Sequence, residues 1–450
     1  MKVIKTKKGL DIPIPGTAER VLTELPVEGE YAVKPTDFVG VMPRLTVSEG
    51  DIVKAGTPLF VDKHNEAARF VSPVNGTVKA IVRGDKRALL SVVVEASTTS
   101  PTASQTQTDS QSREAIVDTM VETGLWTLLR QRPFGIVPQR ESKPKAVFIS
   151  AFDSSPLPVD IPFMLEGRKE DFQQGIDILR QLACKVHISL HSAESKTHLE
   201  TIQNADLHYF EGPHPAGLVG TQIACIDPIN KGETIWTVNA QDVVTIGHLF
   251  RTGEYRPERV VALCGPCVDK PQYYHVLSGT KIDAIATFLQ TNHQRIICGD
   301  VLSGTTIAAD GYLCASCDKV SILPEGDYYD FMGWLRPNFK KYSFSRTFLS
   351  GIISKFRFLN TKFDFDTGKH GSVRPLFVTG EFEKLTPLDI YPMQLIKACI
   401  VGDIELMENL GIYEVEPEDL ALCEFADTSK TEIQFIIREG LEKIRKELGL

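Results

Sequence analysis

The sequence predicts a multidomain protein in which a β-rich N-terminal domain is followed by α/β domains and a helical C-terminal domain. The chain has 450 residues, which is too many for one hydrophobic core and indicates about three or four domains. Short apolar runs broken by turn residues come first, strand–helix–strand patterns follow, and helical periodicity dominates after about Leu385. With 42% hydrophobic and 24% charged residues, the composition is typical of a soluble protein.

The first domain is predicted over residues 1–96, with a β core from about 33 to 95. Its apolar runs are interrupted by the turn sequences EGD, AGTP, VNG and RGD, and this frequency of turns favours a small sandwich or barrel. Asp62 and Lys63 stand between two β runs, as in carrier domains that hold lipoate or biotin on a lysine at a hairpin tip. Either Lys63 carries such an arm, or the domain has a carrier's shape and a bare lysine, since the turns specify the fold and not the modification.

Residues 97–142 are predicted to form a flexible linker and a helix. Almost no residue of Ser97–Ser112 is apolar, so this stretch cannot offset the entropy cost of ordering.

Residues 143–256 are predicted to form an α/β domain. Strands are expected at Lys145–Asp153 and Lys185–Leu190, with a helix at Glu170–Ala183 between them. This order implies a βαβ unit and a parallel sheet. The apolar face of the helix consists of Phe172, Ile176, Leu179 and Leu182.

Residues 257–330 are predicted to form a small α+β domain, with a helix at Thr280–Thr291 surrounded by strands. Residues 385–450 are predicted to be helical. The apolar stripe of the last helix is expected to comprise Ile433, Phe435, Ile436, Leu441, Ile444 and Leu448.

Two Cys-x-x-Cys pairs fall within the small α+β domain. They are Cys264 with Cys267 and Cys314 with Cys317. Four thiolates can form a tetrahedral zinc site, although the pairs are farther apart in sequence than in a usual zinc ribbon. Redox catalysis at CGPC would need a helix directly after the first cysteine, and the VDKP sequence that follows does not predict one. Ordinary turn and strand cysteines are the third alternative.

A glycine-rich stretch, Glu211–Gln222, follows a predicted strand. Such a turn can hold phosphate through backbone N–H groups. Its spacing matches neither a dinucleotide fingerprint nor a P-loop, so a structural loop is the simpler interpretation. His214 and Glu211 are the side chains that could face a cleft.

The segment 331–384 begins with a basic and aromatic stretch, Phe331–Phe363, which contains no acidic residue. A basic, aromatic surface is typical of a membrane interface or a docking partner. A β region with aromatic residues inside and basic residues outside is the alternative, but it does not explain the missing acids. The residues assigned to docking are Trp334, Arg336, Lys340, Lys341, Arg346, Lys355 and Arg357.

Charge and hydropathy limit the possible functions. A formal net charge of -9 argues against nucleic-acid binding. No apolar run approaches the roughly 18–20 residues that span a bilayer, and the basic N-terminus lacks the apolar core of a secretion signal. Nine cysteines scattered through a long chain suit reduced thiols. These features predict a cytoplasmic protein that can dock on a membrane surface.

Long motifs run in fixed order along nearly the whole chain: KKGLDIPIPG from Lys7, GDIVKAGTPLF from Gly50, SPVNGTVKAIVRGDKRALLSVVVE from Ser72, HPAGLVGTQI from His214, TIWTVNAQDVVTIGHLFRTG from Thr234, TPLDIYPMQL from Thr386 and EPEDLALCEF from Glu416. On these motifs the chain resembles the NqrA family, the soluble subunits of bacterial sodium-translocating NADH:quinone oxidoreductases. The order of parts also resembles the RnfC subunits of Rnf complexes and the flavin-bearing subunit of respiratory complex I. The resemblance implies a lipoyl/biotinyl-like barrel-sandwich hybrid, a Rossmann-like α/β domain, a β-grasp (SLBB-like) domain and a helical C-terminal domain.

The same resemblance indicates cofactors that this chain lacks. The RnfC relatives hold iron–sulfur clusters through repeated cysteine motifs in their helical C-terminus, whereas only Cys423 stands in the corresponding stretch here. The glycine-rich loop that takes flavin and NADH in the complex I relative is missing between Lys143 and Tyr255. We therefore expect no cofactor on this chain, with NADH, flavins, iron–sulfur centres and Na+ handled by other subunits.

The resemblance finally implies a role. It predicts a peripheral subunit on the cytoplasmic face of the inner membrane, at or beside the step of quinone reduction, that is not catalytic when isolated. The flavin-bearing membrane subunit is the expected partner, quinone is the possible substrate, and quinone binding is assigned to His214, Pro215 and Gly217. The alternatives are an Rnf-type electron-transfer subunit with metal at the four cysteines, and a lipoyl or biotinyl carrier-like binding module.

Overall fold

The computed structural model of the protein describes residues 3–97, 112–194, 197–285, 293–333, 335–339, 341–344, 348–353, 362–363 and 365–449. The chain begins with two strands, β1 (Val3–Lys5) and β2 (Glu19–Glu24). Neither belongs to a sheet of the N-terminal domain, because each extends the sheet of a later domain.

The N-terminal sandwich (residues 30–96) consists of two small sheets that face each other. One has the strand order β3-β9-β8-β5 and the other β4-β6-β7. Phe60 and Phe70 stack in its core, with ring centroids 4.7 Å apart. This is the sandwich that the frequent turns predict. Its strands are β3 (Glu30–Val33), β4 (Pro43–Leu45), β5 (Ile52–Val53), β6 (Pro58–Asp62), β7 (Arg69–Val71), β8 (Gly76–Arg83) and β9 (Leu89–Ala96).

The α/β domain (residues 113–252) has one six-stranded sheet of order β1-β13-β12-β11-β14-β10, in which only the edge strand β10 is antiparallel to its neighbour. Strand β11, helix α3 and strand β12 form the predicted βαβ unit, and the four predicted apolar residues of α3 are buried. The elements are α1 (Arg113–Glu122), β10 (Arg130–Arg132), β11 (Val147–Ser150), α2 (Ile161–Met164), α3 (Lys169–Leu182), β12 (Val186–His191), β13 (Asp206–Glu211), α4 (Val219–Ile226), β14 (Ile235–Thr237) and α5 (Ala240–Thr252).

The predicted linker differs from the structure after its first part. Residues 98–111 lie outside the described residues, but from Arg113 onward the chain packs into the α/β domain. It supplies helix α1, strand β10 and the fully buried Trp126, whose ring contacts Trp236 edge-on at 5.3 Å. The physical reason is a change of composition: apolar residues return after Ser112 and provide surface to bury.

The third domain (residues 258–324) is a mixed sheet of order β18-β17-β19-β15-β16-β2, so strand β2 from the N-terminus closes one edge. The helix predicted at Thr280–Thr291 is a short 3-10 turn over Ile282–Ala284 as far as the described residues reach, and residues 286–292 lie outside them. The strands are β15 (Glu258–Cys264), β16 (Gln272–Leu277), β17 (Gln294–Cys298), β18 (Thr305–Ile307) and β19 (Lys319–Pro324).

The C-terminal helical domain (residues 382–447) packs around its last helix. Ile433, Ile437, Leu441 and Ile444 are buried. Phe435 is 62% exposed, so its place in the predicted stripe was wrong, because two residues along a helix turn it to the other side. The helices are α6 (Ser350–Ile353), which precedes the domain, then α7 (Phe382–Leu385), α8 (Pro392–Val401), α9 (Ile404–Asn409), α10 (Ala421–Ala426) and α11 (Ile433–Glu447).

The other end of the predicted stripe was also wrong. Leu448 is 51% exposed, because it lies beyond the last helical residue, Glu447, and does not continue the buried face of the helix. None of the helices in the described part of the chain combines the length and apolar character that a membrane span requires.

Candidate functional site

The crevice at the carboxyl ends of β11 and β14 is the place where a doubly wound sheet of this kind would bind a ligand. In the sheet, β12 lies on one side of β11 and β14 lies on the other. The chain passes from β11 to β12, whereas β14 comes later in the sequence and leads into α5. In open α/β sheets, ligands bind where the strand order reverses in this way. The residues that occupy this crevice therefore decide what the domain can hold.

Lys319, the first residue of β19, fills one side of the crevice. Its ammonium lies 2.7 Å from Oδ2 of Asp153 in the loop after β11, and the lysine side chain is only 6% exposed. It also donates to Ser155 Oγ and to two backbone carbonyls of the same loop, those of Pro156 and Leu157, both at 3.3 Å. The third domain thus inserts a positive charge where a ligand would enter.

The electrostatic environment keeps both members of this pair charged. Burial raises the pKa of Asp153, but Lys319 and hydrogen bonds from Ser155 outweigh it and leave the pKa below its usual range. Burial lowers the pKa of Lys319, and the nearby carboxylates of Asp153 and Asp300 reverse that effect and raise it. A buried pair of this kind is stable only while both partners are present.

Asp318, the residue before Lys319, fills the other side of the crevice. Its carboxylate accepts hydrogen bonds from the side chains of Asn239, the N-cap of α5, and of Gln241, the latter at 2.7 Å. Arg259 on β15 joins Asp318 at 2.9 Å to Asp242 at 2.5 Å. Asp318 and Lys319 of the third domain therefore bind the two segments that border the crevice. Lys319 binds the loop after β11, and Asp318 binds the start of α5 after β14.

A second ligand position of such domains, the first turn of the helix after a glycine-rich loop, is covered by the C-terminal helical domain. Arg132 of β10 bonds the carboxylates of Glu418 and Asp419, each at 2.8 Å. A Cβ atom on Gly220, in the first turn of α4, would come within 2.2 Å of Asp419 Oδ1. A carboxylate of the chain itself thus lies over the turn where the sequence pattern would allow phosphate.

The residues assigned to quinone binding are packed against the N-terminal segment. His214 is 3% exposed, its backbone N–H donates to Asp11 Oδ1 at 2.9 Å, and its Nδ1 lies 3.1 Å from Ser154 Oγ. Gly217 N–H donates to the same hydroxyl at 2.7 Å. Burial lowers the pKa of His214. The structure therefore gives His214, Pro215 and Gly217 structural contacts.

Gly9 explains why two distant motifs fit together at this point. It has a φ of +135°, and a Cβ atom there would lie 2.1 Å from the carbonyl oxygen of His214. That carbonyl also accepts a hydrogen bond from Leu10 N–H at 2.8 Å. Only glycine allows this approach, so the motifs that begin at Lys7 and His214 form one packed unit.

The two Cys-x-x-Cys pairs do not come together. Cys264 is buried on β15 with its Sγ 3.4 Å from the carbonyl of Val320, whereas Cys314 and Cys317 lie beside Cys298. Across the described residues, no three or more His, Cys, Asp or Glu side chains are placed to hold a metal ion. The predicted four-cysteine site is therefore not assembled, because Cys264 packs in a different apolar cluster from the other three cysteines.

The docking segment is only partly described. Trp334, Lys340, Arg346, Lys355 and Arg357 lie outside the described residues, whereas Arg336 and Lys341 lie within them. Arg336 is exposed. Lys341 pairs with Asp330 and lies 5.8 Å above the ring of Tyr328. Large apolar side chains near them in sequence are exposed as well, among them Tyr329, Phe331 and Phe339.

The hairpin tip of the N-terminal sandwich is clamped to the rest of the chain. Lys63 is exposed there, but Asn65 is 5% exposed and its amide donates to the carbonyls of Val137 and Pro138, at 3.2 and 3.0 Å. A carrier lysine needs a tip that projects freely. The described contacts fit a tip that fixes the sandwich to the α/β domain.

We expect Asn65→Ala to lower the free energy of unfolding by about 1–3 kcal/mol, because a buried carbonyl loses its donor. Chemical denaturation monitored by tryptophan fluorescence measures this. Lys63→Ala at the exposed end of the same loop is the control and should change stability by less than about 0.5 kcal/mol. Equal effects of the two substitutions would mean that the tip is not clamped.

Sequence reasoning missed the residues that fill the crevice. Lys319 and Asp153 are 166 positions apart, and Arg132 and Asp419 are 287 apart. No local pattern marks either pair.

Three family models match successive parts of the chain. They are the NqrA N-terminal barrel-sandwich hybrid domain over residues 4–97, the NqrA second alpha/beta domain over 111–255 and the NQRA C-terminal domain, of SLBB type, over 260–309. These matches confirm the predicted fold class. The second match begins near helix α1, in agreement with the packing of that segment.

Curated relatives match along the full length. The NqrA protein of the Na(+)-translocating NADH-quinone reductase from Haemophilus influenzae strain PittGG is 38% identical over 453 residues, covering 99% of this chain and 100% of the relative. The proteins of the same name from Neisseria meningitidis serogroup A and Psychromonas ingrahamii are also 38% identical, with the same coverage. A solved NAD+-reducing [NiFe]-hydrogenase aligns with a TM-score of 0.38 and 11% identity, over 75% of this chain and 61% of that one, which is too distant to support any argument. Because these relatives match the chain over its full length at 38% identity, the chain belongs to the NqrA family of Na+-translocating NADH-quinone reductase subunits.

Proposed function

We propose that this chain is a peripheral subunit of a Na+-pumping NADH:quinone reductase complex, on the cytoplasmic face of the inner membrane. It acts at or beside the step of quinone reduction and carries no flavin or iron–sulfur cluster of its own. The names of its relatives supply the reaction of the complex.

One observation carries the cofactor-free part of this proposal: the ligand crevice is occupied by Asp318 and Lys319. A bound flavin or dinucleotide would have to displace the Lys319–Asp153 pair and expose a charge that is now buried and hydrogen-bonded. Asp419 over helix α4 adds a like charge against any phosphate. The chain has the domain order of a cofactor-binding subunit, but its own side chains occupy the positions where a cofactor would bind.

In this function His214, Pro215 and Gly217 serve to pack the N-terminal segment rather than to bind quinone, since their described contacts are internal. The chain contributes to quinone reduction at its contact with the flavin-bearing membrane subunit. Arg336, Lys341 and the exposed rings around them supply a basic and apolar surface for that contact.

Absorbance and metal content of the purified full-length chain test the cofactor-free part. We expect no visible flavin or iron–sulfur absorbance and a zinc and iron content near zero, with an intact mass equal to that of the unmodified sequence. Stoichiometric flavin, iron or zinc would overturn this part and favour the Rnf-type alternative. A mass increase on Lys63 would favour the carrier-like alternative.

Charge reversal tests the docking part. Arg336→Glu combined with Lys341→Glu should reduce co-purification with the membrane subunits, because two cations of the surface become anions. The matched control is Lys5→Glu with Lys384→Glu, two exposed lysines elsewhere on the chain, which should leave assembly unchanged. Equal recovery of the complex from both double variants would remove the docking role.

A further inference from the structure

Three thiols lie together where the third domain meets the N-terminal sandwich. Cys298 ends strand β17, and Cys314 and Cys317 lie in the loop before β19. The backbone N–H of Cys314 points at Cys298 Sγ at 3.2 Å, and the three thiols are close enough that Cys298 raises the pKa of Cys314 and Cys317 raises the pKa of Cys298. Neither the proposed function nor the motif of either Cys-x-x-Cys pair accounts for this cluster.

The cluster forms part of a contact between domains. The ammonium of Lys34, from the sandwich, lies 3.5 Å from Cys314 Sγ, 3.0 Å from the carbonyl of Tyr312 and 3.4 Å from Asp37 Oδ1. Asp37 Oδ2 accepts the backbone N–H of Ala315 at 2.8 Å. Cys314 therefore contacts both a thiol of its own domain, through its backbone N–H, and a cation of the neighbouring domain, through its sulfur.

The three thiols differ in access. Cys317 is buried and its Sγ donates to the carbonyl of Lys319 at 3.1 Å, and Cys298 is buried in the same core. Cys314 is only partly buried. An oxidant from solvent would meet Cys314 first, and Cys298 is the thiol placed to react with the product.

We propose that Cys298 and Cys314 form a reversible redox pair that closes to a disulfide when the chain meets a hydroperoxide. The Cys314 thiolate attacks one peroxide oxygen and the O–O bond breaks, so Cys314 becomes a sulfenic acid and the leaving hydroxide takes a proton from solvent to form water. The Cys298 thiol then attacks the Cys314 sulfur, the S–O bond breaks and a second water leaves. The two sulfurs supply two electrons in total, and an added dithiol reductant restores both thiols.

The surroundings set the speed of this step. The hydrogen bond with Cys298 and burial raise the pKa of the Cys314 thiol, as does the charge of Asp37, and Lys34 opposes them. The thiolate fraction is therefore small at neutral pH and grows about tenfold per pH unit. We expect slow closure at pH 7 and faster closure as the pH rises toward 9.

Closure would change the contact between domains. A disulfide holds its sulfurs about 2.05 Å apart, so the Cys314 sulfur would move toward Cys298 and its 3.5 Å contact with the Lys34 ammonium would be disturbed. The contact of Lys34 and Asp37 with the loop would loosen. Amide hydrogen exchange over residues 34–38 should then be faster in the oxidised chain than in the reduced chain.

Peptide mapping of the full-length chain tests the pair directly. After treatment with hydrogen peroxide and alkylation of free thiols, we expect one Cys298–Cys314 crosslinked peptide, a loss of two hydrogen masses and complete reversal by dithiothreitol. This test uses the wild-type chain alone, so it identifies the linked cysteines even if a variant fails to fold. A linkage of Cys298 to Cys317, a linkage within Cys264 and Cys267, or no linkage would each overturn the assignment.

Variants test the order of events. In Cys298→Ser the reaction should stop at the sulfenic acid, so dimedone should label Cys314. In Cys314→Ser, Cys298 should remain unlabelled, because it is buried. Cys267→Ser, in the other Cys-x-x-Cys pair, is the control and should close its disulfide at the wild-type rate. Labelling of Cys298 in the Cys314→Ser variant would contradict the proposed order.

Discussion

Replacing Lys319 with methionine is expected to lower the free energy of unfolding by about 3–5 kcal/mol. The substitution keeps the volume of the buried stem but leaves the Asp153 carboxylate, whose side chain is only 16% exposed, without its cation. Asp153 would keep the hydrogen bonds from Ser155 and Val159, which do not replace the charge. Denaturation followed by the fluorescence of Trp126 and Trp236, both buried in the α/β domain, measures the loss.

Two variants separate the ion pair from loss of packing. Lys319→Met combined with Asp153→Asn removes both charges and should recover most of the loss, because no uncompensated charge remains. Lys5→Met, in the exposed pair with Glu211, should cost less than about 1 kcal/mol. If Lys319→Met were as mild as Lys5→Met, the crevice would not be closed by this pair.

The pKa directions define the pH range of this stabilisation. The pKa of Asp153 is lowered in the folded chain, so its contribution is complete above the unfolded value of about 3.9 and is lost as the pH falls through the folded value. The pKa of Lys319 is raised, so its contribution is complete below about 10.4 and is lost as the pH rises through the folded value. The contribution of the pair to the stability of the wild-type chain should therefore be constant between about pH 5 and 9.

The same pair shows which features the sequence could predict. Turn residues and periodicity are local, and they predict the sandwich, the unit of β11, α3 and β12, and the buried face of α3. Lys319 shows no local sign of its role, because its partner lies in another domain. Strands β1 and β2 likewise join sheets formed by residues far along the chain, and such pairing depends on tertiary packing.

The thiols of the third domain and the hairpin tip of the sandwich also have partners that local sequence patterns do not indicate. The Cys-x-x-Cys motifs drew attention to Cys264, yet the neighbour of Cys314 is Cys298, which belongs to no motif. Lys63 stands where a carrier lysine would, but the neighbouring Asn65 binds a segment more than 70 residues away. The sequence motifs identified residue types that do make contacts in these places. The partners of those residues depend on the tertiary fold and could not be read from the motifs.

Replacing Arg132 with methionine is expected to cost about 3–5 kcal/mol and to act mainly on the C-terminal helical domain. Arg132 is 4% exposed at its side chain and holds Asp419, which is fully buried. Without the guanidinium, Asp419 would keep one hydrogen bond, from the backbone N–H of Glu416, and its charge would be opposed only by more distant cations. Amide hydrogen exchange should therefore rise across α10 and α11, while the strands of the N-terminal sandwich keep their protection.

The control and the rescue define what this result would mean. Arg374→Met makes the same substitution at an exposed position and should leave exchange in α10 and α11 unchanged. Arg132→Met with Asp419→Asn should restore much of the protection, since an amide can remain buried at lower cost than a lone carboxylate. Uniform loss of protection in all four domains would contradict a local anchor. Selective loss would mean that the carboxylate over α4 is held there by Arg132, so that the C-terminal helical domain itself keeps the second ligand position covered.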